Sequence, residues 1–212
     1  AGRLEAMQCA RELTWTVRGT GEVTVEQRLL PPADFAMSEL PRFGTQATLR
    51  AGFDHLAWFG KGPHETYWDR QDARVGLYRG KVRDQAFDYI KPQESGNKEA
   101  VRWLALTDAQ GRGLLAVASP AHLLSANASH HATEDLFCAT QKENFYPYQL
   151  PRRDTITLNL DLKQRGLGGD NSWGALPHEP FRLSEWPTLL RYRLLVLRGG
   201  EDPVAWAKRA FE

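Results

Sequence analysis

Cysteine is scarce in these 212 residues: only Cys9 and Cys138 are present, with no metal-ligand spacing. That excludes a cysteine-built zinc site and predicts a reduced, cytoplasmic protein without a disulfide framework. No apolar run approaches the ~20 residues of a membrane span, and the stretch from Ala1 has no apolar signal core. An initiator Met is missing too, so a piece of something longer is expected. Charge of one sign is lacking. The net charge is +1 with 25% charged residues of both signs interspersed, which argues against a nucleic-acid or membrane surface. An alternating βα pattern is absent, which excludes a (β/α)8 barrel within the chain. With no internal repeat and no low-complexity linker, residues 1–212 are expected to form one domain.

What is present is β-type patterning. The hydrophobic fraction is 42%, with seven Trp, six Tyr and nine Phe, a set that suits a sheet core or a carbohydrate site. Residues Leu13 to Arg18 and Glu22 to Leu30 alternate around Gly19-Thr20-Gly21 and read as a hairpin. Further strands are predicted at Gln46 to Leu49, His55 to Phe59, Val75 to Tyr78, Val101 to Thr107, Leu114 to Ser119, Leu123 to Ala128 and Tyr192 to Leu197. The clearest is Thr155 to Leu162, with Ile156, Leu158, Leu160 and Leu162 on one face and Thr155, Thr157, Asn159 and Asp161 on the other. Helix is expected in two places: a short turn over Ala132 to Phe137, and Pro203 to Phe211 behind a capping Asp202. Many short strands and little helix predict an all-β sandwich.

Three loops carry polar or unusual residues. In Gly166-Leu167-Gly168-Gly169-Asp170-Asn171-Ser172-Trp173-Gly174, three glycines within four residues permit backbone shapes closed to other residues. Asp170, Asn171 and Ser172 can bond back to the backbone and fix the turn. Trp173 is then either a plug under its own loop or a flat apolar face held out for the C–H side of a sugar ring. The second loop presents His64, Glu65, Asp69 and Arg70 within seven residues. These form either a catalytic cluster or a set that holds the loop through an Asp69–Arg70 pair. The third contains Glu94, which bonds loop amides, binds an ion, or acts as a base. His130 and His131 adjoin Glu134 and Asp135 without metal-site spacing and read as surface residues, and Phe145-Tyr146-Pro147-Tyr148 reads as an exposed turn.

Four stretches in this order are Leu40-Pro41-Arg42-Phe43-Gly44, Trp58-Phe59-Gly60-x-Gly62-Pro63-x-Glu65-x-Tyr67-x-Asp69-Arg70, Pro92-x-Glu94-x-Gly96, and Gly168-Gly169-Asp170-x-Ser172-Trp173. Together they resemble the C-terminal β-sandwich, or small-chain, domain of β-galactosidases of the second glycoside hydrolase family. Thr66, Trp68, Ser95 and Asn171 depart from residues common there. The resemblance implies a supersandwich similar to galactose mutarotase. No Trp-Arg-Ala-Pro-x-Asp-like run is found, so the first strands of that fold are expected to be missing. It implies a partner, the catalytic barrel domain or large subunit, and a β-galactoside substrate such as lactose. Substrate contacts are expected from Trp173, Asp170 and Asn171, with oligomeric assembly of the intact enzyme. No cofactor is expected in this chain, the divalent and sodium ions belonging to the catalytic domain. Retaining hydrolysis requires two carboxyl groups roughly 5 Å apart. The family carries these on the barrel, so no catalytic residue is expected here and the chain alone is expected to be inactive. A free-standing galactoside-binding module and a mutarotase-like epimerase using Glu94 and a His are the alternatives.

Overall fold

The computed structural model describes residues 9–32, 39–136, 146–171, 173–184 and 188–209. Among them are eleven strands, all paired antiparallel in two sheets. The strands are β1 (Ala10–Val17), β2 (Val23–Leu30), β3 (Arg42–Leu49), β4 (His55–Gly62), β5 (Arg74–Lys81), β6 (Lys98–Val101), β7 (Trp103–Thr107), β8 (Arg112–Ala118), β9 (Leu124–Ser129), β10 (Ile156–Gln164) and β11 (Thr188–Arg198). A larger sheet runs β1-β2-β11-β8-β7-β4-β5, and a smaller one β3-β10-β9-β6. The sandwich expected from the alternation is therefore what forms.

The core lies between the sheets. Val25, Leu29, Leu56, Trp58, Leu104, Leu106, Leu190 and Tyr192 of the larger sheet pack on Phe43, Val101, Leu124, Ala126, Ile156, Leu158 and Leu160 of the smaller. A second apolar cluster sits on the outer face of the larger sheet. There Trp103, Ala105, Leu115, Val117, Leu195 and Leu197 meet Val204, Trp206 and Ala207 of a short helix, α1 (Pro203–Ala207). Burial on both faces explains why β7 and the second half of β8 read as unbroken apolar runs. Asp202 caps α1 by accepting a bond from the Val204 N–H, as expected, and the helix ends earlier than the pattern suggests. The expected turn near Ala132 is a single 3-10 turn over Thr133–Asp135, while Phe137, Cys138 and Phe145 lie outside the described residues.

One prediction needs correction. Val101 to Thr107 is not one strand: β6 belongs to the smaller sheet and β7 to the larger, with Arg102 between them. The chain crosses the sandwich there. Ala100 takes a positive φ of 54°, the Arg102 N–H bonds to the Phe59 carbonyl (2.7 Å), and its carbonyl accepts from the Ala118 N–H (2.9 Å).

The outer face of the smaller sheet is polar yet buried. Ser125, Asn127, Asn159 and Asp161 lie under the segment that leads into β6. Asn97 Nδ2 reaches Ser125 Oγ at 2.9 Å, and Gln164 Nε2 reaches Asn97 Oδ1 at 3.1 Å. Buried polar groups of this kind hold their position by satisfying one another.

Candidate functional site: a tryptophan loop and its cradle

The β4–β5 connection is the base of the site. Its Tyr67 and Arg70 close a tight turn through reciprocal backbone bonds of 3.0 and 2.9 Å. Glu65 is the hub: Oε2 accepts from the Gly96 N–H at 2.7 Å and from the Tyr67 hydroxyl at 3.2 Å. Its other oxygen takes close bonds from Arg70 and from the Tyr89 hydroxyl. Burial pushes the Glu65 carboxyl upward, but the Gly96 amide, Tyr89 and Arg70 outweigh it and hold the group below the ordinary range. The loop-holding pair is thus Glu65–Arg70, not the expected Asp69–Arg70. Arg70 turns outward to Glu65 and Tyr89, whereas Asp69 points toward a different loop. His64 is exposed.

The different loop is the one that carries Trp173. It leaves β10 and is fastened at its base by Arg165 N–H to the Pro41 carbonyl (2.9 Å) and Gly166 N–H to the Phe181 carbonyl (2.8 Å). Arg165 Nη1 also meets Glu39 at 2.8 Å. Trp68 lies edge-on to Phe181, with Lys163 Nζ 3.8 Å from the centre of the Trp68 ring. Asp69 Oδ2 accepts the Gly168 N–H at 2.9 Å, across 99 residues of sequence.

Gly166 and Gly169 serve close approach rather than unusual φ, whereas Gly174 takes a positive φ of 98° with open space around it. A Cβ on Gly166 would sit 2.8 Å from Asp69 Oδ2, and one on Gly169 would fall 2.2 Å from the Ala175 carbonyl oxygen. Further along, Asn171 Oδ1 accepts the Trp173 N–H at 2.8 Å, a turn-fixing bond of the expected type. Asp170 meets His178 Nε2 at 2.7 Å. Ser172 lies outside the described residues. At the tip, Trp173 is 93% exposed. Asp170 and Asn171 thus each bond within their own loop.

Glu94 is held in an ion-pair clasp. Arg42 Nη1 donates to Glu94 Oε2 at 2.8 Å, its Nη2 makes a close bond to Oε1, and its Nε lies 3.0 Å from Asp161 Oδ2. The backbone carbonyl of Glu94 accepts from the Tyr67 hydroxyl at 3.4 Å, which ties this clasp to the Glu65 hub. Burial pushes Asp161 up to about 8 against the pull of Arg42, helped by Glu94 and Glu99. Lys98 is buried alongside, donating to the Pro63 carbonyl at 3.1 Å and lying 4.9 Å from the centre of the Trp58 ring. Burial brings it down to about 8, partly offset by Glu65. His130 bonds the Arg153 carbonyl through Nδ1 (3.1 Å), and Asp135 is buried in a pair with Arg153, so these two residues are structural rather than a free surface group. Among the described residues there is no group of three or more His, Cys, Asp or Glu placed to hold a metal.

Sequence reasoning missed Tyr89, His178, Asp161 and Lys98. Asp161 had a signal in its polar face of β10, whereas nothing in the spacing joins His178 to Asp170.

The β-galactosidase small-chain family model matches residues 4–195. The chain belongs to this family. Among curated relatives, the β-galactosidase of Priestia megaterium is 40% identical over 172 residues, which is 81% of this chain and 16% of the relative. That of Halalkalibacterium halodurans is 36% identical over 148 residues, 69% and 14% of the two chains. The β-galactosidase BgaC of Bifidobacterium adolescentis is 34% identical over 158 residues, 73% and 14%. This small-chain sandwich therefore spans about one-sixth of the length of the relatives it matches. No helix among its described residues is long and apolar enough to cross a membrane.

Proposed function

We propose that this small-chain domain completes the substrate pocket of a cytoplasmic β-galactosidase, with Trp173 as its contact to the sugar. The acid, the nucleophile and any metal ions belong to a catalytic domain outside these residues. The observation that carries the reading is an indole 93% exposed at the tip of a loop braced at its base by Asp69, Glu39 and Phe181. A bare indole in water loses apolar contact that a sugar's C–H face restores, and the brace lowers the cost of ordering it. Such a loop tunes binding of the sugar without touching the bond-breaking step.

The test is Trp173→Ala in the full-length enzyme. Loss of one stacking contact, on the order of 1 kcal/mol, raises KM for lactose or weakens acceptor affinity about fivefold. Unchanged KM and unchanged transfer to added sugar acceptors refute the assignment. The isolated 212-residue chain is expected to show no hydrolysis of an aryl galactoside, and measurable turnover by it alone would equally sink the reading.

A further inference from the structure

Strand β11 outruns its neighbour. Its pairing with β2 ends at Leu194–Val23, while beside β8 it continues to Arg198. The step left there is bounded by the β1–β2 turn and by α1, and it forms a hollow of about 620 Å³. Arg18, Arg193, Arg198 and Arg209 line it, against only two carboxylates, Glu22 and Glu201. Both acids are already committed. Glu22 lies 3.3 Å from Arg193 Nη1 and 3.9 Å from Arg18 Nε. The two oxygens of Glu201 accept the Arg198 backbone N–H at 3.1 and 3.0 Å. Arg193 is 1% exposed and also donates from Nη2 to the Arg209 carbonyl at 2.9 Å, which ties the turn to the end of α1 and fixes the floor of the hollow. Arg198 and Arg209 are exposed, and neither guanidinium forms an ion pair or hydrogen bond with a described residue. The Arg209 guanidinium instead lies 4.0 Å from the centre of the Trp206 ring. Arg198, Trp206 and Arg209 all fall beyond residues 4–195, so this cationic wall stands outside the stretch matched to the small-chain family.

We propose that this hollow binds a phosphate monoester of sugar size, its phosphoryl group held by Arg198 and Arg209 and its carbon body resting against Val196 and Trp206. Four arginines against two glutamates leave an excess of two positive charges at the hollow. A phosphate monoester carries close to two negative charges near pH 7 and balances that excess. The planar guanidinium fork matches phosphate oxygens two at a time, whereas a neutral sugar would leave the cations unanswered. The volume falls within the range of roughly 300–1,000 Å³ typical of small-molecule sites, which leaves room for an organic body beyond the phosphate itself. Val196, 56% exposed, and the half-buried Trp206 give that body an apolar wall.

The test is titration calorimetry of the full-length protein with glucose 6-phosphate, inorganic phosphate and glucose, with excess galactose present throughout to occupy the sugar pocket. Saturable binding of glucose 6-phosphate is expected, weakened by added salt, with inorganic phosphate binding less tightly and glucose not at all. Arg198→Gln and Arg209→Gln should each weaken the ester about tenfold, the loss of one charged hydrogen-bonding partner. Both side chains are exposed, so an unchanged urea midpoint shows that the variants fold. Arg152→Gln, which removes an exposed arginine that does not line the hollow, should leave the affinity unchanged. No saturation by about 10 mM overturns the proposal, as does equal affinity in the parent and the two hollow variants. Inorganic phosphate binding as tightly as the ester overturns the assignment of an organic ligand. None of these readouts depends on Trp173, so the hollow and the sugar contact stand or fall separately.

Discussion

Replacing Asp69 tests whether the tryptophan loop is held by a specific contact or merely by general packing. Its carboxylate accepts one backbone N–H, from Gly168 at 2.9 Å. A hydrogen bond to a charged group contributes roughly 1.5–3 kcal/mol, and the exposure of Gly168 places this one near the lower end. Asp69→Ala should therefore raise the population of open loop about tenfold, about 1.5 kcal/mol. Amide exchange read on peptides covering residues 166–176 measures that opening. Asp69→Asn keeps an acceptor oxygen and should fall between the two. Global stability by urea unfolding should drop by no more than the local term, because neither Asp69 nor Gly168 belongs to the inter-sheet core. Unchanged loop exchange, or a urea midpoint that falls while the loop stays protected, would refute the bracing role.

Three further outcomes follow from the same geometry. Arg42→Leu strands the Glu94 carboxylate without its cation, removes the partner of the buried Asp161 carboxyl, and should cost about 3 kcal/mol in urea unfolding; a variant as stable as the parent refutes the clasp. Lys98 is lowered to about 8 in the fold and returns to the ordinary lysine range, about 10.4, when unfolded. The unfolded chain therefore binds more protons between those values, so stability should rise from pH 8 to 10, with a full effect on the order of 3 kcal/mol. Lys98→Met should be more stable at pH 7 and lack that rise, and matching profiles of the two proteins would contradict the burial argument. Gly166→Ala, whose Cβ would lie 2.8 Å from Asp69 Oδ2 and 3.0 Å from Phe181 Cβ, should speed loop exchange as Asp69→Ala does.

The sandwich was legible because alternation is a local property, and β10 shows its apolar period directly in Ile156, Leu158 and Leu160. The run through Val101 misled for the same reason: its residues are equally apolar whether the chain stays in one sheet or changes sheet, and only the pairing partners decide. Glu94 was legible as a residue that matters, but its partner Arg42 lies 52 residues away and no spacing predicts that meeting. In the tryptophan loop the glycines were read as φ-permissive. For Gly166 and Gly169 the actual reason is contact with Asp69 and Ala175, which sequence periodicity cannot display. The exposed state of Trp173 was one of two open readings, since a plug and a platform require the same turn chemistry.

The crossing at Ala100–Arg102 has a mechanical consequence. Of the several covalent passages between the layers this one is the tightest, a single residue leading from β6 at the edge of the smaller sheet into β7, and its backbone is bonded to β4 and β8 on arrival. Sliding of the layers past each other would have to stretch that rivet. Relative shear is thereby blocked beneath the β4–β5 connection, and whatever the indole meets pushes against a stiff plate, so the recoil is confined to the loop itself.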